Sequence, residues 1–175
     1  MKLFKPLGDF LKIVGISLLI IIPIRYYIAQ PFFVRGASMD PTFEDGEYLI
    51  IDEISYRLNN PERGEVIVFR FPLNTSQFYI KRIVGMPGET VRIQDGKVRI
   101  LMDAREISLD ESMYLGVEPT TGDLELTLGE DEYFVMGDNR GASSDSRRWG
   151  ALKDSFIIGK VFLRAWPFSR FTLFK

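Results

Sequence analysis

The sequence has 175 residues and a formal net charge of −2, and it contains neither histidine nor cysteine. The missing histidine excludes a Ser-His-Asp triad, and the missing cysteine excludes disulfides and thiol nucleophiles. Without either residue type we expect no metal site and no cofactor. The nearly balanced charge provides no basic field, so we expect no nucleic-acid partner.

The first feature along the chain is an uncharged apolar run at residues 13–24, which reads IVGISLLIIIPI. Twelve residues are too few to cross a bilayer, because a membrane-spanning helix needs about 20. Apolar and tyrosine residues on both sides extend the run, and Lys12 and Arg25 can reach the two interfaces. We therefore predict a single transmembrane helix within residues 1–30. A cleaved signal peptide and a buried core helix are the alternative interpretations.

The charges around this run predict its orientation. Three lysines and one aspartate precede it, and positive residues favour the cytoplasmic side of a membrane. We expect a single-pass protein of the cytoplasmic membrane, with its N-terminus in the cytoplasm and residues 31–175 forming a domain on the outer side.

Short strands separated by turns dominate the predicted outer domain. The dipeptide Asp95-Gly96 between two such strands is the strongest hairpin signal in the chain. The pattern predicts a mainly β fold, an antiparallel sheet or a partly open barrel. Residues 104–122 are expected to form an exposed loop. The predicted strands are residues 48–52, 65–71, 78–84, 91–94, 97–102, 124–128, 133–136 and 159–165.

Ser38 is a candidate nucleophile in the stretch RGASMDPT, between small residues and an Asp-Pro turn. Without histidine its activator must be a carboxylate, the N-terminal amine or a lysine, and the N-terminus is expected on the other side of the membrane. A lysine is neutral only where desolvation lowers its pKa. Strand alternation places Lys81 on one face with Tyr79 and Ile83, between apolar neighbours. Alternation alone fits a solvated edge strand equally well.

A second polar stretch, MGDNRGASSDSRRWG at residues 136–150, follows a predicted strand. It contains three serines, two aspartates, three arginines and one asparagine. One interpretation is a hydrophilic surface turn. The other is a set of hydrogen-bonding groups that positions a buried polar side chain, such as a neutral lysine.

Four stretches together resemble the successive motif blocks of the bacterial type I signal peptidases, also called leader peptidases. They are GASMDPT with Ser38, RGEVIVF at 63–69, YIKRIVGMPGE at 79–89 and GDNRGASSDSRRWG at 137–150. Their order and spacing match that family, in which an apolar anchor also precedes the first block. The resemblance covers most of residues 10–168 and leaves residues 104–127 poorly matched.

The resemblance implies roles for the motif residues. Ser38 would be the nucleophile and Lys81 the general base, with Ser143 hydrogen-bonded to the lysine to orient it. The backbone N–H of Ser38 would contribute to the oxyanion hole, but Gly36 replaces the hydroxyl residue that some members use as a second donor. Two structural ion pairs are implied near the site, Arg82 with Asp138 and Arg147 with Asp145.

The resemblance also implies the activity. A membrane-bound serine endopeptidase would cut signal peptides from exported preproteins after small residues, with preproteins and membrane lipid as its partners. The expected substrate pocket is apolar and is lined by Met39, Phe43, Tyr79 and Ile80. Four aromatic residues either dip into the outer leaflet or belong to an ordinary core: Phe32, Phe33, Trp166 and Phe168.

Two other interpretations of the chain are open. One is a non-catalytic, membrane-anchored β domain in which Ser38 is a turn residue. The other is a self-cleaving Ser-Lys protease of the repressor type. Such a repressor should carry a DNA-binding helix-turn-helix upstream, where this chain has its apolar run.

Overall fold

The structure is a computed structural model that describes residues 5–27, 29–102, 105–115 and 119–174. Within these residues one long helix precedes two β-sheets, and short helices lie in the connections. The helices are α1 (Lys5–Tyr27), α2 (Ser55–Leu58) and α3 (Ser146–Trp149), with 3-10 turns at Asp154–Phe156 and Phe168–Arg170.

Helix α1 includes the apolar run from which the anchor was predicted. Among the described residues, no helix has both the length and the apolar character needed to cross a membrane. Residues 1–4 and 28, and the side chains of residues 5–7, 20–27 and 29, lie outside what the structure describes. The transmembrane anchor therefore stays a prediction.

The larger sheet contains eight strands within the described residues, and all its neighbouring strands are antiparallel. Its strands are β1 (Ala29–Phe33), β2 (Tyr48–Asp52), β3 (Val66–Phe71), β4 (Asn74–Gly85), β9 (Glu132–Met136), β10 (Leu152–Lys153), β11 (Ile157–Trp166) and β12 (Thr172–Leu173). The main path runs β1-β2-β11-β3-β4-β9-β10, and β12 pairs with β11. Strand β11, although it comes late in the chain, thus lies inside the sheet, between β2 and β3.

The smaller sheet contains four antiparallel strands in the order β7-β6-β5-β8. They are β5 (Thr90–Gln94), β6 (Lys97–Met102), β7 (Arg105–Ser108) and β8 (Leu124–Thr127). The predicted hairpin joins β5 to β6. Asp95 and Gly96 both have positive φ, as a two-residue type I′ turn requires. Among the described strands neither sheet closes into a barrel, so the mainly β, antiparallel prediction is confirmed without barrel closure.

The two sheets share a hydrophobic core. Phe134 and Met136 of β9 pack with Val91 and Ile93 of β5 and with Ile100 of β6. This packing fixes the smaller sheet against the β4–β9 end of the larger one. The alternating burial along β5 and β6 shows one face on this core and one face in solvent.

The segment predicted as an exposed loop, residues 104–122, is more ordered than expected. Residues 105–108 form the exposed strand β7, whose pairing with β6 supplies backbone hydrogen bonds. Glu111 and Thr120 are buried. Residues 104 and 116–118 lie outside the described residues. Some of the polar residues that suggested a loop lie in strand β7, both faces of which are exposed. Others, such as Glu111, form buried ionic contacts.

Gly159 allows β11 to approach its neighbours closely. A Cβ atom at this position would overlap the backbone carbonyl oxygen of Asp52 in β2. We expect Gly159→Ala to lower the free energy of unfolding by roughly 1–3 kcal/mol, because backbone must shift to admit the methyl group. Chemical denaturation measures this change. Gly15→Ala, where α1 has open space, is the control and should be neutral or slightly stabilising. Equal stability of the two variants would contradict the assignment.

Candidate active site

Ser38 lies in the loop of residues 34–47, which joins β1 to β2. Its carbonyl oxygen accepts a hydrogen bond from the backbone N–H of Asn139 at 3.1 Å. Asn139 belongs to residues 137–145, which we call the polar loop. Gly36 has a φ of +83° and donates its N–H to Asp45 Oδ1 at 2.6 Å. The Ser38 backbone is therefore held from both sides.

Lys81 reaches Ser38 from strand β4. Its Nζ atom lies 2.7 Å from Ser38 Oγ and donates a second hydrogen bond to the Ile80 carbonyl oxygen at 2.8 Å. The residue is only 3% exposed, and Nζ lies 5.4 Å from the centre of the Tyr79 ring. The structure thus brings together two residues that are 43 positions apart in the chain.

The surroundings of Lys81 favour its neutral form. Burial lowers the pKa of Lys81 from 10.5 to about 8, although the charges of Asp145 and Asp138 act in the opposite direction. About half of the Lys81 side chains would be uncharged at pH 8. A neutral amine in hydrogen-bonding contact with a hydroxyl can accept its proton.

Asp138 forms a buried, two-pronged ion pair with Arg82, the residue that follows Lys81. Arg82 Nε lies 2.8 Å from Oδ1, and Nη2 lies 2.6 Å from Oδ2. Thr42 Oγ1 also donates to Oδ2, at 2.5 Å. Because Thr42 lies four residues after Ser38, this group ties the serine loop, strand β4 and the polar loop together.

Asp145 pairs with Arg147 at the other end of the polar loop. Arg147 Nε lies 2.8 Å from Oδ1, and the Gly137 N–H donates to Oδ2 at 3.1 Å. Burial alone would raise the pKa of Asp145, but these partners and the nearby Ser143 hydroxyl lower it below its usual value. Asp145 also caps helix α3 by accepting the Arg147 N–H. The carboxylate therefore stays charged beside the lysine.

Ser143 is buried close to this site, but its Oγ does not form the expected hydrogen bond with the lysine. Its Oγ has no hydrogen-bond partner of good geometry among the described residues. The Lys81 amine is already engaged by Ser38 and Ile80. Ser143 Oγ is directed instead towards Asp145, whose pKa it helps to lower. The expected Ser143–Lys81 hydrogen bond is thus not formed.

A groove of about 590 Å³ runs along the Ser38–Lys81 pair. Tyr79 and Ile80 line it, as expected for a substrate pocket. Met39 and Phe43 do not line it: they are 1% and 0% exposed and pack into the core beneath the serine loop. Other residues that line the groove include Phe32, Phe33, Val34, Arg35, Gln77, Phe78, Ala142 and Ser144.

Similarity to known proteins decides the family. A family model described as signal peptidase, peptidase S26, matches residues 7–166. This chain belongs to that family. A probable signal peptidase I-2 of Synechocystis sp. is 37% identical over 159 residues, which cover 88% of this chain and 71% of that protein. A signal peptidase I of Leptolyngbya laminosa is 34% identical, with 97% of this chain and 84% of that protein covered.

A solved structure gives a further match. The signal peptidase I of Enterococcus faecalis V583 is 34% identical, and the match covers 58% of this chain and 97% of that chain, with a TM-score of 0.49.

Within the described residues, this signal peptidase family member has no group of three or more acidic side chains that could hold a metal ion.

Arg140 and Glu111 form a buried ion pair beside the site that no sequence pattern of this signal peptidase family member predicted. Arg140 is buried in the polar loop and donates to the Gly137 carbonyl at 3.0 Å. Its guanidinium pairs with Glu111, from the segment expected to be an exposed loop. The density of charge in residues 136–150 marked the region, but nothing in the sequence indicated a partner 29 positions away.

The Arg82–Asp138 pair provides a test of how the site is held together. We expect Asp138→Ala to lower the free energy of unfolding by about 3–5 kcal/mol, because it leaves the Arg82 charge buried without a partner. Denaturant titration measures the change. The control is Glu106→Ala, which removes a half-exposed partner of Arg92 and Arg99 and should change stability by at most about 1 kcal/mol. An Asp138→Ala variant with wild-type stability would mean that Arg82 is solvated.

Proposed function

We propose that this chain is a membrane-anchored serine endopeptidase that removes signal peptides from exported preproteins by a Ser-Lys mechanism. The observation that carries the proposal is the 2.7 Å contact between Lys81 Nζ and Ser38 Oγ on an apolar groove. Membership of the signal peptidase family supports the substrate class.

In the proposed mechanism, neutral Lys81 takes the proton of the Ser38 hydroxyl while Oγ attacks the scissile carbonyl carbon. The resulting ammonium gives its proton to the leaving nitrogen, so the C–N bond breaks and the signal peptide stays on Ser38 as an ester. Water then attacks the ester carbonyl and passes a proton to Lys81. The Lys81 ammonium gives this proton to Ser38 Oγ as the ester C–O bond breaks, which restores the Ser38 hydroxyl and releases the signal peptide with a free carboxyl terminus.

The tetrahedral intermediate needs hydrogen-bond donors for its oxyanion. The Ser38 N–H is suited to this role, because no acceptor among the described residues takes it. The Gly36 N–H already bonds to Asp45. A second donor therefore comes from a group other than the Gly36 amide, and Gly36 itself has no side-chain hydroxyl to offer.

The groove suits an extended peptide. Residues 77–80 of β4 line it, and no described strand pairs with them on that side, since β9 pairs with β4 only at residues 82–85. A substrate strand could bond to this free edge. The neighbouring aromatic and aliphatic walls leave shallow apolar space, which agrees with small residues before the cleaved bond.

Exposed apolar surface supports attachment to a membrane. Phe33 packs on Tyr48, and Trp166 packs on Phe168, each with ring centres 4.9 Å apart. All four are substantially exposed, and Tyr48 is the strand partner of both Phe33 and Trp166. The described apolar side chains of α1 are exposed as well. Phe32, in contrast, is half-buried against the core. A lipid surface would cover such a patch.

Removal of either reacting group should abolish cleavage. We expect Ser38→Ala and Lys81→Met to lower kcat/KM for a purified preprotein in detergent by at least about 10³-fold. Ser76→Ala and Lys97→Met, which change exposed residues of the same types, should cut at the wild-type rate. Normal cleavage by Lys81→Met would mean that another base acts. An inactive wild type with several preproteins would favour the non-catalytic β domain.

The proposed base predicts the pH dependence. The folded-state pKa of Lys81 is about 8, and only the neutral amine accepts a proton. We therefore expect kcat/KM to rise about tenfold per pH unit below pH 8 and to level off above it. The profile is measured between pH 5.5 and 10 on protein shown to be folded throughout. A flat profile down to acid pH would exclude lysine as the base.

A further inference from the structure

Residues 109–115 follow strand β7 and lie against the polar loop; we call them the bracing segment. The Leu109 N–H donates to the Val98 carbonyl at 3.0 Å, which fastens the segment to strand β6. Glu111 of this segment is buried and accepts two hydrogen bonds from Arg140, at 2.5 and 3.2 Å. Arg140 is almost fully buried as well, and it also donates to Thr120. The smaller sheet is thus linked to the polar loop by a buried ion pair.

Tyr114 connects this ion pair to the one beside Lys81. Its hydroxyl donates to Glu111 Oε1 at 3.0 Å, and its ring lies 4.1 Å from the Arg82 guanidinium carbon. Arg82 is the partner of Asp138. The bracing segment therefore contacts both the interior of the polar loop and the cation that follows the lysine.

The polar loop forms one wall around Lys81. The Asn139 N–H holds the Ser38 carbonyl, and the charged groups that act on the lysine, Asp138 and Asp145, both belong to this loop. Each carboxylate has its own guanidinium, from Arg82 and Arg147. If the loop moved outwards, water would reach the amine and the desolvation that favours its neutral form would be lost.

Glu111 is the group that can prevent this movement. Arg140 Nε donates a hydrogen bond to the Gly137 carbonyl, and the Arg147 guanidinium donates to the Arg140 carbonyl at 2.7 Å. Without Glu111, a guanidinium inside the loop would be left buried and unpaired, and such a charge moves towards water. Because Arg140 is bonded to the loop backbone, the loop would move with it.

We propose that Glu111 is a positioning residue for the Ser38–Lys81 pair, acting through Arg140 to hold the polar loop closed over the lysine. The inference rests on the proposed function only in taking these two residues as the reacting pair. Its physical content, that the brace keeps water from Lys81, is independent of the substrate.

The test measures the titration of Lys81 directly. The full-length protein in detergent is labelled with ¹³C at lysine Cε, and the Lys81 signal is assigned by its loss in Lys81→Met. We expect Glu111→Ala to raise the Lys81 midpoint by about one pH unit towards the value of a solvated lysine. Glu111→Gln, which keeps an acceptor for Arg140, should restore most of the wild-type midpoint.

Kinetics provide a second readout. In Glu111→Ala we expect kcat/KM for a preprotein to fall about tenfold at pH 7 and to approach the wild-type value near pH 10, with KM little changed. The matched control is Glu125→Ala, which removes the partner of Arg92 on the exposed face of the smaller sheet. It should leave both the Lys81 midpoint and the pH profile unchanged.

The outcomes separate the two proposals. A Glu111→Ala protein that is less stable but keeps the wild-type Lys81 midpoint overturns the positioning role. If Glu111→Ala does not fold, the double variant Glu111→Leu, Arg140→Met removes the ion pair without leaving a buried unpaired charge; an unchanged midpoint there also overturns the positioning role. A wild type that cuts no preprotein removes the proposed function, whereas a midpoint that rises in Glu111→Ala still supports the brace.

Discussion

The contact between the Lys81 amine and the Ser38 hydroxyl can act chemically only where water is kept from the lysine, and much of the structure follows from that constraint. On one side of Lys81, aromatic rings exclude water. Tyr79 stacks on Phe71 with ring centres 4.4 Å apart, and Phe71 and Phe69 both pack against Trp149. These rings belong to β3, β4 and the helix after the polar loop. The antiparallel pairing of β3 with β4 thus builds the apolar surface beside the lysine.

On the other side of Lys81, water is excluded by buried carboxylates and guanidinium groups that neutralise one another. Unpaired carboxylates next to Lys81 would stabilise its ammonium form and raise its pKa. Asp138 and Asp145 are each bound to an arginine, which weakens that influence. Burial and the residual carboxylate charge then oppose each other, and the pKa of Lys81 settles at about 8. A fold that supplied only burial, or only carboxylates, would not produce this balance.

The smaller sheet supports the site from a distance, because none of its strands lines the groove. It packs on β9 through a shared core and carries the bracing segment to the polar loop. The groove itself lies at the β1–β4 side of the larger sheet, near the exposed aromatic rings of Phe33 and Trp166. Because Phe33 also lines the groove, the proposed peptide groove and the proposed lipid surface share this residue.

The sequence by itself determined the features that depend on near neighbours in the chain. Strand alternation and the Asp95-Gly96 turn predicted the antiparallel strands, and the absence of histidine reduced the possible bases for Ser38 to very few. Motif order identified the family. Alternation could not decide whether Lys81 was buried, because burial depends on rings and carboxylates brought from β3, α3 and the polar loop.

Only the tertiary structure decided the remaining contacts. Met39 and Phe43 are apolar and lie within five residues of Ser38, yet the turn after Ser38 directs both into the core, where Phe43 packs on Phe174. Glu111 belongs to a segment whose composition suggests solvent, but it is buried because Arg140, 29 residues later, offers it a cation. A buried charge is stable only beside its partner, and that partner is set by the packing of the two sheets rather than by any local pattern.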